Sequence, residues 1–213
     1  MSSPASLIRD YAAGDLDRLL ELESEAGARG PTGCVTSPSD LIESLSRSDY
    51  GAVSLMVAER AGEIAGYASL TPEIQIGRAV LRWRVRADRG GGRIAGKLID
   101  EVILRNPSPG IETIHANIWQ GSPAARELLS GRGFGCIRRY LELRLDLSKT
   151  DAPEVENGRF RRRFLQPGGE EELTRLQNRS FAGAWGYNPN TVDEMVLRTR
   201  LPGSSRKDII IAF

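Results

Sequence analysis

The sequence is poor in the residues that build metal and disulfide sites. Its 213 residues include one histidine, His115, and two cysteines, Cys34 and Cys136, which are not in CxxC spacing. Two distant cysteines are too few for a disulfide framework or a structural zinc site, so we expect reduced thiols and no metal. We expect a cytoplasmic protein that does not engage membranes. No apolar run approaches the ~18 residues of a membrane span, and the amino terminus lacks a basic segment followed by an apolar core.

A charge excess of either sign is also missing. Lysine and arginine total 29 against 28 acidic residues, a net charge of +1. This balance argues against a nucleic-acid-binding protein and leaves room only for local recognition of phosphate. We therefore interpret the two arginine rows as solvated strand faces, with binding of an anionic partner as the alternative: Arg82, Arg84 and Arg86 in the first, and Arg159, Arg161, Arg162 and Arg163 in the second.

Hydrophobic periodicity predicts the elements of the first part of the chain. Their order is strand, two helices, three strands, helix, strand, helix, strand, which is typical of an α/β (α+β) fold. Helices are expected over 16–22 and 38–48, from the glycines over 90–92 to the breaker at 106–110, and after Ser122. Strands are expected over 53–58, 64–70, 78–86, 111–119 and 135–147.

A second, shorter set of elements follows a polar stretch over 148–158 that we interpret as a linker. We expect strands over 159–165 and 208–213 and helices over 170–181 and 191–200. Leu16-x-Arg18-Leu19 recurs as Leu173-x-Arg175-Leu176, which indicates a tandem duplication whose second copy stops after its second strand. We therefore divide the chain into domains over 1–147 and 159–213. Either it is a fragment, or the apolar edge of its last strand pairs with the first domain or with another copy in a homo-oligomer.

The stretch VRADRGGGRIAGKLID over 85–100 places three glycines between a strand and a helix. Backbone N–H groups and the positive end of a helix dipole then meet at one point, an arrangement suited to an anion. A plain flexible turn is an equal alternative. A Walker-type loop is disfavoured because no GK[ST] follows, and the upstream hairpin disfavours a Rossmann unit.

Two further stretches make the chain resemble a known family. The glycine stretch together with AARELLSGRGFG, which ends in the pair Gly133-Phe134, is similar to the GNAT N-acetyltransferase superfamily over about residues 5–147. The later NRSFAGAWGYNPNTVDEM resembles its tandem two-domain members, such as mycothiol synthase.

The resemblance implies a mixed central sheet flanked by helices and an enzyme that transfers an acetyl group from acetyl-CoA to an amine of a small molecule or protein. It places Val85 on the strand that faces the thioester, and Ser122 where the family often has Asn. The pyrophosphate loop would consist of Gly90, Gly91, Gly92, Arg93, Ile94 and Ala95.

Three positions depart from the family pattern. Gly90 stands in place of Arg or Gln, Arg93 in place of the central Gly, and Leu129 where many members have the Tyr that protonates the leaving thiolate. Arg93 either obstructs the approach of phosphate to the backbone or, like Arg89, contacts phosphate directly. The alternative reading is a degenerate, non-catalytic domain that binds acyl-CoA or supports a catalytic second domain.

Direct acetyl transfer needs a base for the attacking amine. Glu73 and His115 are the candidates, each weighed against a structural role. Trp119 either lines an acceptor pocket or fills the core, and we favour the core. Four residues of the second copy are expected either to border the acceptor site or to pack as a cluster: Asn178, Phe181, Trp185 and Tyr187.

Overall fold

A computed structural model describes residues 6–26, 38–46, 54–87, 90–105, 109–141, 143–150, 161–201 and 203–212. Cys34, Arg89, Arg159 and most of the predicted linker lie outside these residues. Five strands form one sheet in the order β1-β2-β3-β4-β5. Their bounds are β1 Leu7–Asp10, β2 Ser54–Arg60, β3 Glu63–Glu73, β4 Arg78–Val85 and β5 Thr113–Ala116. All neighbouring pairs are antiparallel except β4 and β5, which run parallel. The predicted mixed sheet is thus confirmed.

Helices cover both faces of the sheet. Their bounds are α1 Leu16–Ala26, α2 Pro38–Ser46, α3 Gly91–Leu104 and α4 Pro123–Ser130. The larger core lies between the sheet and α3 and α4, where Trp83 and Leu98 are almost fully buried. A smaller core joins the other face to α1 and α2 through Leu19, Leu22 and Tyr67. The helical spacing of apolar residues in the sequence predicted these buried faces because one stripe of each helix must pack on the sheet.

The arginine row on β4 is not a uniformly solvated face, and that interpretation was wrong for Arg84. Arg84 is fully buried, and its Nη2 lies 3.1 Å from Oε2 of Glu23 on α1. The hydroxyl of Tyr67 on β3 donates to the same carboxylate. Arg82 and Arg86 are half-buried. The physical reason is that α1 packs across this face and brings its own carboxylate to the buried guanidinium.

The carboxyl-terminal elements form a smaller unit of two strands and two helices: β6 Arg162–Phe164, α5 Glu170–Ser180, α6 Val192–Arg198 and β7 Ile210–Ala212. β6 and β7 pair antiparallel, with Arg163 opposite Ile211. The order and the pairing repeat those of β1, α1, α2 and β2 in the first sheet. This agreement supports the predicted duplication, while the division into domains stays a prediction.

The strand predicted over 135–147 is not formed, and that prediction was wrong. The described residues of this stretch make no strand pairing, and its large apolar side chains are exposed: Ile137, Tyr140, Leu141, Leu143 and Leu145. Alternation provides one apolar face, but a strand also needs a neighbour for its backbone groups. Among the described residues none lies alongside.

No helix in the described ranges is long and apolar enough to cross a bilayer.

Candidate functional site

The sheet opens between β4 and β5. Pairing extends only from Arg78 with Thr113 to Leu81 with Ala116, and the described residues contain no strand beside the second half of β4. At its end, the N–H of Arg86 donates to the carbonyl of Ala65 on β3 at 2.9 Å. Successive backbone groups of a strand point to opposite sides, so the N–H and C=O of Val85 face the opening.

The amino-terminal end of α3 follows this half of β4. Its first backbone hydrogen bond runs from Ile94 N–H to Gly90 O at 3.1 Å, and no described side chain caps the helix. The N–H groups of Gly91, Gly92 and Arg93 therefore have no carbonyl partner within the helix. With the helix dipole, they form a positive end directed away from the helix body.

Gly91 is fixed by a close backbone approach. A Cβ atom there would lie 2.6 Å from the carbonyl oxygen of Arg86, whereas one at Gly92 would meet nothing within 4 Å. Arg93 is exposed and makes no hydrogen bond or ion pair with another described residue. Of the two alternatives for Arg93, this position favours an available cation over a buried obstruction.

The later helix contributes a cap rather than a proton donor. The hydroxyl of Ser122 is buried and accepts a hydrogen bond from the N–H of Ala125 at 3.3 Å, at the start of α4. Leu129 lies in the larger core. Trp119 is 44% exposed and its ring lies over Gly121, so its interpretation as a core residue was wrong.

The two candidate bases lie on the α1–α2 side of the sheet and are joined by Arg78, which sequence reasoning did not select. The Nε of Arg78 donates to the carboxylate of Glu73, and its Nη1 lies 3.4 Å from Nδ1 of His115. Burial lowers the pKa of His115, and the charge of Arg78 lowers it further. His115 is consequently a neutral imidazole near pH 7, whereas Glu73 is held as the partner of a cation. The sequence contained one signal that could have identified Arg78. Gly77 allows the chain to reverse between β3 and β4, and this reversal sets Glu73 opposite Arg78.

The smaller unit reaches this cluster through Trp185. Its indole stacks on His115 with ring centroids 5.7 Å apart, and the guanidinium of Arg138 lies 4.9 Å from the indole centroid. The next residue, Gly186, has a φ of +66° and lies so close to Nη1 of Arg78 that a Cβ would approach it to 2.7 Å. The candidate site is therefore bordered by both parts of the chain.

The other residues predicted around Trp185 form a local network. Phe181 and Tyr187 stack with centroids 5.3 Å apart, and the Tyr187 hydroxyl donates to Oδ1 of Asn178 at 2.7 Å. Nearby, Nε of Arg198 donates to Glu43 on α2 at 2.7 Å and ties the smaller unit to the first. The predicted set thus divides: Trp185 contacts the candidate site, and the other three residues pack the loop.

Comparison with known proteins agrees with this geometry. No family model matches the chain. A mycothiol acetyltransferase from Nocardia farcinica is 29% identical over 141 residues, which cover 64% of this chain and 45% of that protein. An N-acetyltransferase structure from Staphylococcus aureus Mu50 matches with a TM-score of 0.51 and 19% identity, over 61% of this chain and 83% of that one. The chain has the GNAT fold.

The GNAT fold confirms the fold class predicted from element order, and the curated relative confirms the family resemblance. The match spans less than half the length of that relative. A diaminobutyrate acetyltransferase from Paenibacillus lautus, solved with L-2,4-diaminobutyric acid and coenzyme A, is 20% identical with a TM-score of 0.47. It covers 61% of this chain and 75% of that one.

Proposed function

We propose that the chain is an N-acetyltransferase that uses acetyl-CoA and acts on an amine of a small molecule or peptide. The observation that carries the proposal is the opening between β4 and β5, where the backbone of Val85 and the uncapped end of α3 converge. Similarity to a mycothiol acetyltransferase supports the same reaction class.

The residues present fit the donor. Gly91 allows the backbone of α3 to lie against β4, and the N–H groups of Gly91, Gly92 and Arg93 suit the oxygens of a diphosphate. Ile94 and Ala95 anchor this first turn because both are buried in the core. Arg93 adds a charge-assisted contact to the diphosphate. This contact compensates for the positions at which the loop departs from the family pattern. Ser122 caps the helix that follows β5 along the chain.

Acetyl-CoA supplies an activated thioester, and the chain supplies orientation and proton transfer. The N–H of Val85 is placed to donate to the thioester carbonyl and so to stabilise the oxyanion that forms when the amine attacks. His115, neutral near pH 7, accepts the proton of the amine at Nδ1, directly or through water, once Nη1 of Arg78 moves from its 3.4 Å contact with that nitrogen. Glu73 holds Arg78 in place beside that imidazole. Leu129 offers no proton to the departing thiolate, so solvent protonates it.

A second candidate function is acyl-CoA binding without turnover. Two features favour it. Leu129 cannot donate a proton to the thiolate, and the carboxylate of Glu73 is already paired with Arg78 and is therefore less available as a base. The donor site itself is unaffected by either feature.

Calorimetry with acetyl-CoA and CoA, followed by a thiol-release assay on a panel of amines, tests both functions. We expect binding in the micromolar range and release of CoA with at least one amine. Absence of binding at millimolar ligand would contradict both functions, whereas binding without release for any amine would leave only the second. Comparison of His115→Gln with the control Gln120→Ala then tests the base, because only the first should lower turnover without weakening CoA binding.

A further inference from the structure

On the α1–α2 face of the sheet, three buried polar atoms have no hydrogen-bond partner among the described residues: Oγ of Ser69, Oγ1 of Thr71 and Nη1 of Arg84. The three residues are 2%, 5% and 0% exposed. An unpaired buried donor or acceptor costs free energy, and protein interiors almost always pair such groups. Three of them on one face indicate a place for a polar partner that the described part of the chain does not provide.

Strand register places these residues in three successive rows of one sheet face. Ser69 and Thr71 are two residues apart on β3, so their side chains share a face. Ser69 lies opposite Arg82 on β4, and Tyr67 lies opposite Arg84. Opposite residues of an antiparallel pair have neighbouring side chains. Arg82 is also the first residue of β4 beyond its pairing with β5, so this cluster begins at the opening.

Within the described ranges, the charges around the cluster leave one cation, Arg82, without an ionic partner. Glu23 neutralises Arg84, and Glu73 neutralises Arg78. Arg82 is half-buried and makes no hydrogen bond or ion pair with any other described residue. A guanidinium only donates hydrogen bonds, and a hydroxyl can donate one, so all four groups can serve the same acceptor.

We propose that Ser69, Thr71, Arg82 and Nη1 of Arg84 bind an oxyanion, a carboxylate or phosphate, carried by the amine that is acetylated. The inference rests on the proposed function and names its substrate class: small amines that bear an anionic group. The hydroxyls and the arginines hold this group on the α1–α2 face, next to the opening where the backbone of Val85 is exposed.

The double variant Ser69→Ala, Thr71→Val is the direct test. Because neither hydroxyl has a partner in the part of the chain that the structure describes, their removal should leave the thermal midpoint unchanged or raise it. In contrast, Thr174→Val lowers the midpoint, because the buried hydroxyl of Thr174 donates to the Glu170 carbonyl at 2.7 Å. This control separates an unpaired buried hydroxyl from a paired one.

Binding is measured by calorimetry without CoA, using β-alanine, its carboxamide and 2-aminoethyl phosphate. We expect one of the two anions to bind at least about tenfold tighter than the carboxamide, and the double variant and Arg82→Gln each to lose about tenfold of that affinity. Which anion binds identifies the group. The affinity for CoA should not change in either variant.

Three results would overturn the inference: equal binding of the anions and the carboxamide, no binding of either anion at millimolar concentration, or a fall in the midpoint of the double variant as large as that of Thr174→Val. The last would show that ordered water already satisfies the hydroxyls. Failure of the proposed function looks different, since CoA binding would then be absent while selective anion binding persisted.

Discussion

The imidazole of His115 lies nearly parallel to the indole of Trp185, with 11° between the ring planes and 5.7 Å between their centroids. The first residue belongs to β5 and the second to the loop between α5 and α6. The stacked indole therefore removes water from one face of the only histidine in the chain.

Trp185→Ala should raise the pKa of His115. Burial is the main cause of the lowered value, so loss of the indole moves it back towards the usual value of about 6.5, although the charge of Arg78 still opposes full recovery. Titration of the imidazole by NMR measures this directly because the chain holds one histidine. Trp119→Ala is the control, and an equal shift in that variant would contradict the role of the stack.

The same histidine should make the fold less stable in acid. Its folded pKa is lower than its unfolded pKa, so between the two values the unfolded chain binds more protons and stability rises with pH. As the pH falls from about 6.5 to the folded pKa, the free energy of unfolding therefore decreases progressively. Denaturant midpoints of His115→Gln should depend less on pH in this window than those of the wild type. Parallel curves would contradict the expectation.

Glu23→Gln and Glu25→Gln form a matched pair on α1. Glu23 and Arg84 are both fully buried, so neutralising the carboxylate leaves an uncompensated guanidinium and should cost about 3–5 kcal/mol in the free energy of unfolding. Glu25 pairs with Arg86 at 3.2 Å, where the Arg86 and Glu25 side chains are 37% and 54% exposed, and its loss should cost no more than about 1 kcal/mol. Urea denaturation measures both, and similar costs would contradict the burial of the first pair.

Gly91→Ala and Gly92→Ala test whether the glycines are needed for a close backbone contact or only for a flexible loop. A methyl group at 91 meets the carbonyl of Arg86 and should destabilise the fold by about 1–3 kcal/mol and weaken CoA binding. At 92 the methyl enters open space within the first turn of α3, where alanine is favoured over glycine by up to about 1 kcal/mol. Urea denaturation and calorimetry check both variants. Equal effects would indicate a simple flexible turn.

Arg93→Ala should weaken CoA binding without unfolding the protein. The side chain is exposed, so stability should change by less than about 0.5 kcal/mol, while loss of a charge-assisted contact should lower affinity by about tenfold. The control is Lys97→Ala, another exposed cation one turn later on α3. Wild-type affinity should also fall with added salt more steeply than that of Arg93→Ala. No change in affinity would remove Arg93 from the site.

Local patterns predicted the elements well where local forces decide them. The spacing of Ile94, Leu98 and Val102 gave α3, and the alternation of Leu81, Trp83 and Val85 gave the buried face of β4. Both follow from the need to cover one apolar surface, which a single element shows in its own sequence.

The predictions that failed depend on residues that are distant along the chain. Arg84 looked solvated because its carboxylate partner is 61 residues away on α1. The alternation over 135–147 is a valid strand pattern, but pairing depends on a neighbour that no local pattern specifies. Likewise, the bond from Arg78 to His115 depends on how β4 and β5 align.

The glycine stretch contains two positions with opposite tolerance. At 91 one methyl group is too large, whereas at 93 a full guanidinium extends into solvent. A consensus that scores every glycine equally would rank this loop as badly degraded. If each position is instead weighted by the side-chain volume that it can hold, the loop retains Gly91, the residue that has to be small.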